Sequence, residues 1–308
     1  MTWAAVLLAL VGRVVFSFVD PAIDESSGLV DLGGLMVTTD DSGGDPLVFV
    51  VDPRTGRTVG HTTFAPETED VEALAPAGAD EVWVGDIGDN NEQRSSVQVY
   101  RVPVGRGDHR ITAPAYSLVY PDGAHDAESL FAAGGGLYVV TKGLLGGTVY
   151  AAPRHLSTQA PNRLRPVASV DVWATDAALF PDGRHVLVRG YDNAVIYTFP
   201  GFEPVAAVDL PRQRQGEGVS IGPSGRIRLS SEGRNSPVLQ VALPEAVQAA
   251  VAGKSTSRSP SPTPAQGAVT SRVASSSSGH GWLLVLAAGA GAAAVLLLVA
   301  LLVRPRRR

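Results

Sequence analysis

The hydrophobic positions of this chain come in short runs broken by glycine and proline, with no helical spacing before the C-terminal region. Five times between Glu25 and Pro244, an apolar run, a glycine-containing turn and a second apolar run follow one another. These are GLVDLGGLMVTTD from Gly28, ALAPAGADEVWVGD from Ala73, SLFAAGGGLYVVTK from Ser129, ALFPDGRHVLVRGY from Ala178 and SIGPSGRIRLSSE from Ser220. Each predicts a β-hairpin, because glycine supplies the positive φ of a tight turn and the flanking β-branched and aromatic residues favour a pleated surface. A third run follows each hairpin and ends on a proline, at Pro53, Pro103, Pro153, Pro200 and Pro244. Proline has no N–H for a ladder, so these prolines predict strand ends.

A fourth strand is expected in four of the copies, from Thr58, Ala113, Arg165 and Pro204. The fifth copy lacks one, and RVVFSFVDP, from Arg13 to Pro21, has the missing length and pattern. The hairpins start about 42 to 56 residues apart, the spacing of four-stranded blades. The expected fold is therefore an all-β, five-bladed β-propeller over residues 13–245, with the N-terminal strand closing the last blade. A β-sandwich also has many short strands but gives no reason for one four-strand unit to recur.

The flanking segments read differently. Residues 282–303 carry no charge and reach roughly 33 Å as a helix, enough for the hydrocarbon core of a membrane. Arg304, Arg306, Arg307 and Arg308 follow, and the positive-inside rule assigns 304–308 to the cytoplasm and everything before the span to the outside. Residues 1–12 have an apolar stretch of signal-peptide length without a basic residue before it. Residues 246–281, rich in Ser, Thr, Pro and Gly, read as a disordered stalk. The expected molecule is a single-pass protein of the cell membrane, with its propeller extracytoplasmic and its C-terminus inside.

Composition narrows the chemistry. A net charge of −5 and the lack of a basic stripe before the last residues argue against nucleic-acid binding. There is no cysteine, so any metal must be held by oxygen or histidine. No P-loop, nucleophile elbow, zincin helix or dinucleotide fingerprint is present.

In an up-and-down blade the start of the first strand and the end of the second lie on one face. Acids recur at the starts, as Glu25, Asp70 and Glu72, Asp126 and Glu128, and Glu217; Thr175 and Asp176 hold the place in the fourth copy. At the ends of the second strands stand Asp40 and Asp41, Asp86 and Asp89, Lys142, Arg189 with Tyr191, and Glu232. The D-x-E spacing is expected to put both carboxylates on one side of a strand. Such a rim of like charges predicts a bound hard cation, calcium, among the carboxylates. Asp-Asn-Gly clusters are also ordinary turn formers, and that reading stands beside the functional one. His125 precedes the third inner strand and is a candidate general base next to Asp126.

Through ESSGL, TTDDSGG, DVEAL, GDIGDN, HDAESL, VVTK, PDGRHVLVRGY, QGEG and SSEG, the propeller region resembles a family of membrane-anchored propeller proteins from actinobacteria. More distantly it resembles the phytase-like and esterase-like propellers, with a sparser acidic and basic set. That resemblance implies calcium held by carboxylates, with Lys142, Arg189 and Tyr191 receiving an anionic group. Two functions follow as expectations. One is a surface binding module whose cation-loaded rim takes a small-molecule, polysaccharide or protein ligand; the other is a calcium-dependent hydrolase of phosphate esters or lactones. A propeller without a ligand is the third.

Overall fold

The computed structural model describes residues 8–41 and 46–253. Five sheets are arranged as the blades of a propeller. From the axis outward, blade 1 is Ser26–Asp31, Met36–Asp40, Leu47–Asp52 and Arg57–Ala65, and blade 2 is Val71–Pro76, Glu81–Asp86, Val97–Pro103 and Ala115–Val119. Blade 3 is Ala127–Ala133, Gly136–Thr141, Gly147–Ala151 and Arg165–Val170, and blade 4 is Asp176–Leu179, His185–Arg189, Asn193–Thr198 and Pro204–Asp209. Blade 5 is Val219–Ile221, Ile227–Leu229 and Pro237–Val241, completed by Gly12–Ser17 from the other end of the chain, antiparallel to Pro237–Val241. Each inner strand packs against the inner strands of both neighbouring blades, blade 5 against blade 1 included, so the ring is closed.

Both faces of every blade are covered, which explains why the third strands read as nearly unbroken apolar runs. Along Leu47–Asp52, Val48 and Val50 enter the cluster shared with blade 2, while Phe49 and Val51 enter the one shared with blade 5. The five apolar clusters fill the five clefts between successive blades. At Gly28 a Cβ would stand 2.6 Å from the Leu74 backbone nitrogen, so the lack of a side chain lets two inner strands approach at the axis.

Three short strands were not expected. Gly107–Thr112 lies parallel on the outer edge of blade 1, Asn162–Arg163 on blade 2 and Leu8–Ala9 on blade 4. Each immediately precedes the fourth strand of the following blade, so the chain clasps the outer edge of one blade before forming the rim of the next. This covers edges that would otherwise present unpaired backbone groups.

The N-terminal apolar stretch thus contributes Leu8–Ala9 and the buried Leu10 to the propeller. At the other end, the first residues of the expected stalk are helical. Helix Glu245–Val251 buries Val247 in the cluster between blades 4 and 5. No helix among the described residues is long and apolar enough to cross a membrane. The expected span at 282–303, the tail at 304–308, most of the stalk and residues 1–7 lie outside the described residues.

Candidate functional site

The rim begins with a repeated irregularity. In blades 1, 2 and 3 the ladder between the first and second strands slips by one residue, and the extra residues are Ser27, Glu72 and Glu128. A bulge breaks alternation and re-aims a side chain. This is what brings Glu72 and Glu128 into the electrostatic cluster at the axis, where simple D-x-E alternation had been expected to orient them. Blade 4 has no such slip: Asp176 pairs in register with Arg189, and its buried carboxylate accepts the N–H groups of Ala177 (2.8 Å) and Val219 (2.7 Å). Asp176 therefore ties blade 4 to blade 5 and does not join the rim.

One carboxylate oxygen each from Asp41, Asp70 and Glu72 lies within 4.8 Å of the others. Asp41 directly follows the second strand of blade 1, Asp70 directly precedes the first strand of blade 2 and Glu72 lies within it, so the trio bridges two blades. Asp70 is pushed up to about 6 by burial and by the charges of Asp41 and Asp126. Glu72, only 6 % exposed, is pushed up to about 11 by burial, then by Glu128, Asp41 and Asp70. Without a cation among them, Glu72 retains its proton at neutral pH.

A second group adjoins the first. Glu128 forms a buried ion pair with Lys142, whose ammonium also donates to the Tyr191 hydroxyl at 3.0 Å. Burial raises the Glu128 carboxyl and Lys142 opposes that rise; burial likewise works against the ammonium, but Glu128 and Tyr191 overcome it and raise its pKa. The second Glu128 oxygen is buried with no hydrogen-bond partner among the described residues. Glu217 is pushed up to about 7, with burial prevailing over Lys142 and Arg189. Glu232, raised by burial and by Glu25 and Asp41, accepts from Gln215 at 2.6 Å. Trp173, which the sequence reading passed over, is 43 % exposed, packs edge-on to Tyr191 at 5.4 Å and lies 5.9 Å from the Lys142 nitrogen. Its only signal was its place at the end of an outer-strand pattern, next to the following inner strand.

Other candidates have different work. Asp86 pairs with Arg94 at 2.9 Å and accepts the N–H groups of Glu69 and Asp70. Asp40 accepts the N–H of exposed Glu25 at 2.9 Å, the equivalent contact in blade 1. Burial pushes Asp40 up to about 7. Asp89 accepts from the backbone of Gln93 and Arg94 and donates its own N–H to Asp126 at 2.9 Å. These groups shape the loops that present the trio. Arg189 is fully buried, with a pKa lowered to about 10 by desolvation. Its guanidinium donates to the carbonyls of Gly218 and Ser230 and to Gln213, so it bolts blade 4 to blade 5 and is not available on the rim surface. His125 pairs with Asp122 at 3.1 Å and with the Tyr150 hydroxyl at 3.1 Å, packed edge-on against Tyr120. Its ring is engaged there by Asp122 and Tyr150.

No family model matches the chain, and no curated protein matches it in sequence. Solved structures similar to it include the WD40 β-propeller domain of Doa1, at 9 % identity and a TM-score of 0.39, covering 77 % of this chain and 99 % of that one. A glucose dehydrogenase is similar at 12 % identity and a TM-score of 0.43, covering 76 % and 100 %. The class of this protein is read from its own sheets: an all-β, five-bladed propeller.

Proposed function

We propose that this propeller is a binding module whose rim holds a hard divalent cation, calcium, on Asp41, Asp70 and Glu72, and through it an oxygen-bearing extracellular ligand. The observation that carries the reading is the convergence of three carboxylates from two blades around buried Glu72. Calcium takes six to eight oxygen ligands, and three carboxylates supply part of that shell and leave positions for water or ligand oxygens. Lys142, Tyr191 and Trp173 border the site as an ammonium, a hydroxyl and an exposed ring. Binding requires no general base.

The test is the melting of the full-length chain in calcium and in chelator. A ligand at a hundred times its Kd stabilises by about 2.7 kcal/mol, a shift of several degrees. An unchanged midpoint would sink the proposal.

The proposed location is the outer face of a cell membrane, with 282–303 as the anchor; hydropathy and the terminal arginines support it. The full chain is expected to fractionate with membranes and a chain ending at Gly253 to be released. Protease added to intact cells is expected to reach the propeller.

A further inference from the structure

Where blades 2 and 3 meet, at the end away from the acidic rim, their shared apolar cluster opens into a cleft of about 600 Å³. Trp83, on the second strand of blade 2, and Tyr116, on the fourth, form one wall; both are half-buried, edge to face at 5.5 Å. Blade 3 forms the other wall, with its first hairpin turn at 134–136 and the segment 153–156 that follows its third strand. Leu137 and Leu156 add apolar surface to the lining. The volume falls in the range of small-molecule sites.

The polar groups of the lining define the occupant. No carboxylate is among the described residues that line the cleft, in a chain whose net charge is −5. Arg101 is spent, since it pairs with Glu81 at 2.5 Å. Arg154 is different: it is exposed, has no ion pair or hydrogen bond among the described residues, and its guanidinium lies beside the glycine turn, where a Cβ on Gly135 would stand 3.7 Å from Nη1. A guanidinium can only donate, and its planar fork matches a carboxylate bidentately. The two rings of the facing wall offer a planar partner an offset or edge-on contact.

From this geometry we infer that the cleft between blades 2 and 3 is a binding site for a planar aromatic carboxylate, its ring against Trp83 and Tyr116 and its carboxylate on Arg154. The site is independent of the cation at the rim.

The test is equilibrium dialysis of the full-length protein in detergent, with detergent alone as the blank, against two probes of nearly equal shape, naphthalene-2-carboxylate and its uncharged amide. The carboxylate is expected to bind saturably at one per chain, equally in calcium and in chelator, and the amide about tenfold more weakly or worse. Arg154→Gln, at an exposed position, is expected to keep the native melting midpoint, to weaken the carboxylate about tenfold or more, the worth of one charge-assisted hydrogen bond, and to leave the amide unchanged. Tyr116→Leu is expected to weaken both probes by one factor, about two- to tenfold. Should that variant not fold, a crystal soaked in the carboxylate takes its place, with the ring expected on Trp83 and Tyr116. Absence of saturable one-to-one binding, an amide bound as tightly as the carboxylate, undiminished carboxylate binding in Arg154→Gln or Tyr116→Leu, or a probe bound elsewhere would each overturn the inference.

Discussion

At the scale of single residues, the most informative side chain is Glu72. Buried among other acids, it keeps its proton at neutral pH when no cation is near, and a cation must displace that proton to use the oxygen. Glu72→Gln resembles the protonated form, so in chelator its melting midpoint is expected to equal or exceed that of the native chain at pH 8. In calcium the midpoint is expected not to move, whereas the native chain's rises. Differential scanning calorimetry of the four samples checks this. Arg189 is the opposite kind of residue. Its fully buried guanidinium satisfies carbonyls of blade 5, and removing it leaves those acceptors and the nearby charges of Asp176 and Glu217 uncompensated. Arg189→Met is expected to cost about 3 kcal/mol or more in urea unfolding, with or without calcium. A loss confined to ligand binding would instead make Arg189 a rim residue.

At the scale of elements, the bulges and the closing strand carry the design. Blade 4 shows that a blade of this molecule forms without the extra residue, and it contributes no glutamate to the rim. Deleting Glu72 should therefore regularise blade 2 and preserve the circular dichroism of the sheet, while the calcium-induced rise in midpoint disappears. The closing strand joins the two ends of the propeller chain. Phe16 and Phe18, edge to face at 5.7 Å, anchor it in the cluster between blades 5 and 1. Phe18 is fully buried, and Phe18→Ala is expected to lower stability by about 3 to 5 kcal/mol, measured by denaturant unfolding.

At the scale of the whole molecule, the gathered acids couple stability to pH. Asp70, Glu72 and Glu217 have folded pKa values of about 6, 11 and 7, against ordinary values of 3.8 for the aspartate and 4.5 for the glutamates. A carboxyl raised on folding holds its proton more tightly in the native state. As pH climbs past the ordinary values the unfolded chain ionises first, and stability falls until the folded values are passed. In chelator the urea midpoint is expected to be lower at pH 8 than at pH 5.5; an equal or higher midpoint at pH 8 would contradict the burial of these acids. Calcium should narrow the gap, bind more tightly as pH rises, and release protons that calorimetry in two buffers of different ionisation heat detects.

Much of this architecture is legible in the chain alone. Strand runs ending on proline, glycine turns between them and a repeat of nearly constant length are local signals, and local sterics and hydrogen-bonding capacity produce them. A propeller repeats one local unit, so five local readings add up to a global fold, and even the closing strand shows as a pattern missing at one end and present at the other. Lys142, one of only two lysines in the chain, was conspicuous for the same reason. What the tertiary structure alone decided is which acids meet. Glu72 and Asp86 look alike in sequence, but one is re-aimed by a bulge toward the axis and the other is claimed by Arg94 and two backbone amides. Arg189 and Lys142 occupy equivalent ends of their blades, yet one is buried in a bolt between sheets and the other reaches Glu128 and Tyr191. Those outcomes depend on register slips of one residue and on which side chains of the same or the next blade come within reach, and no spacing along the chain encodes a distance across the ring.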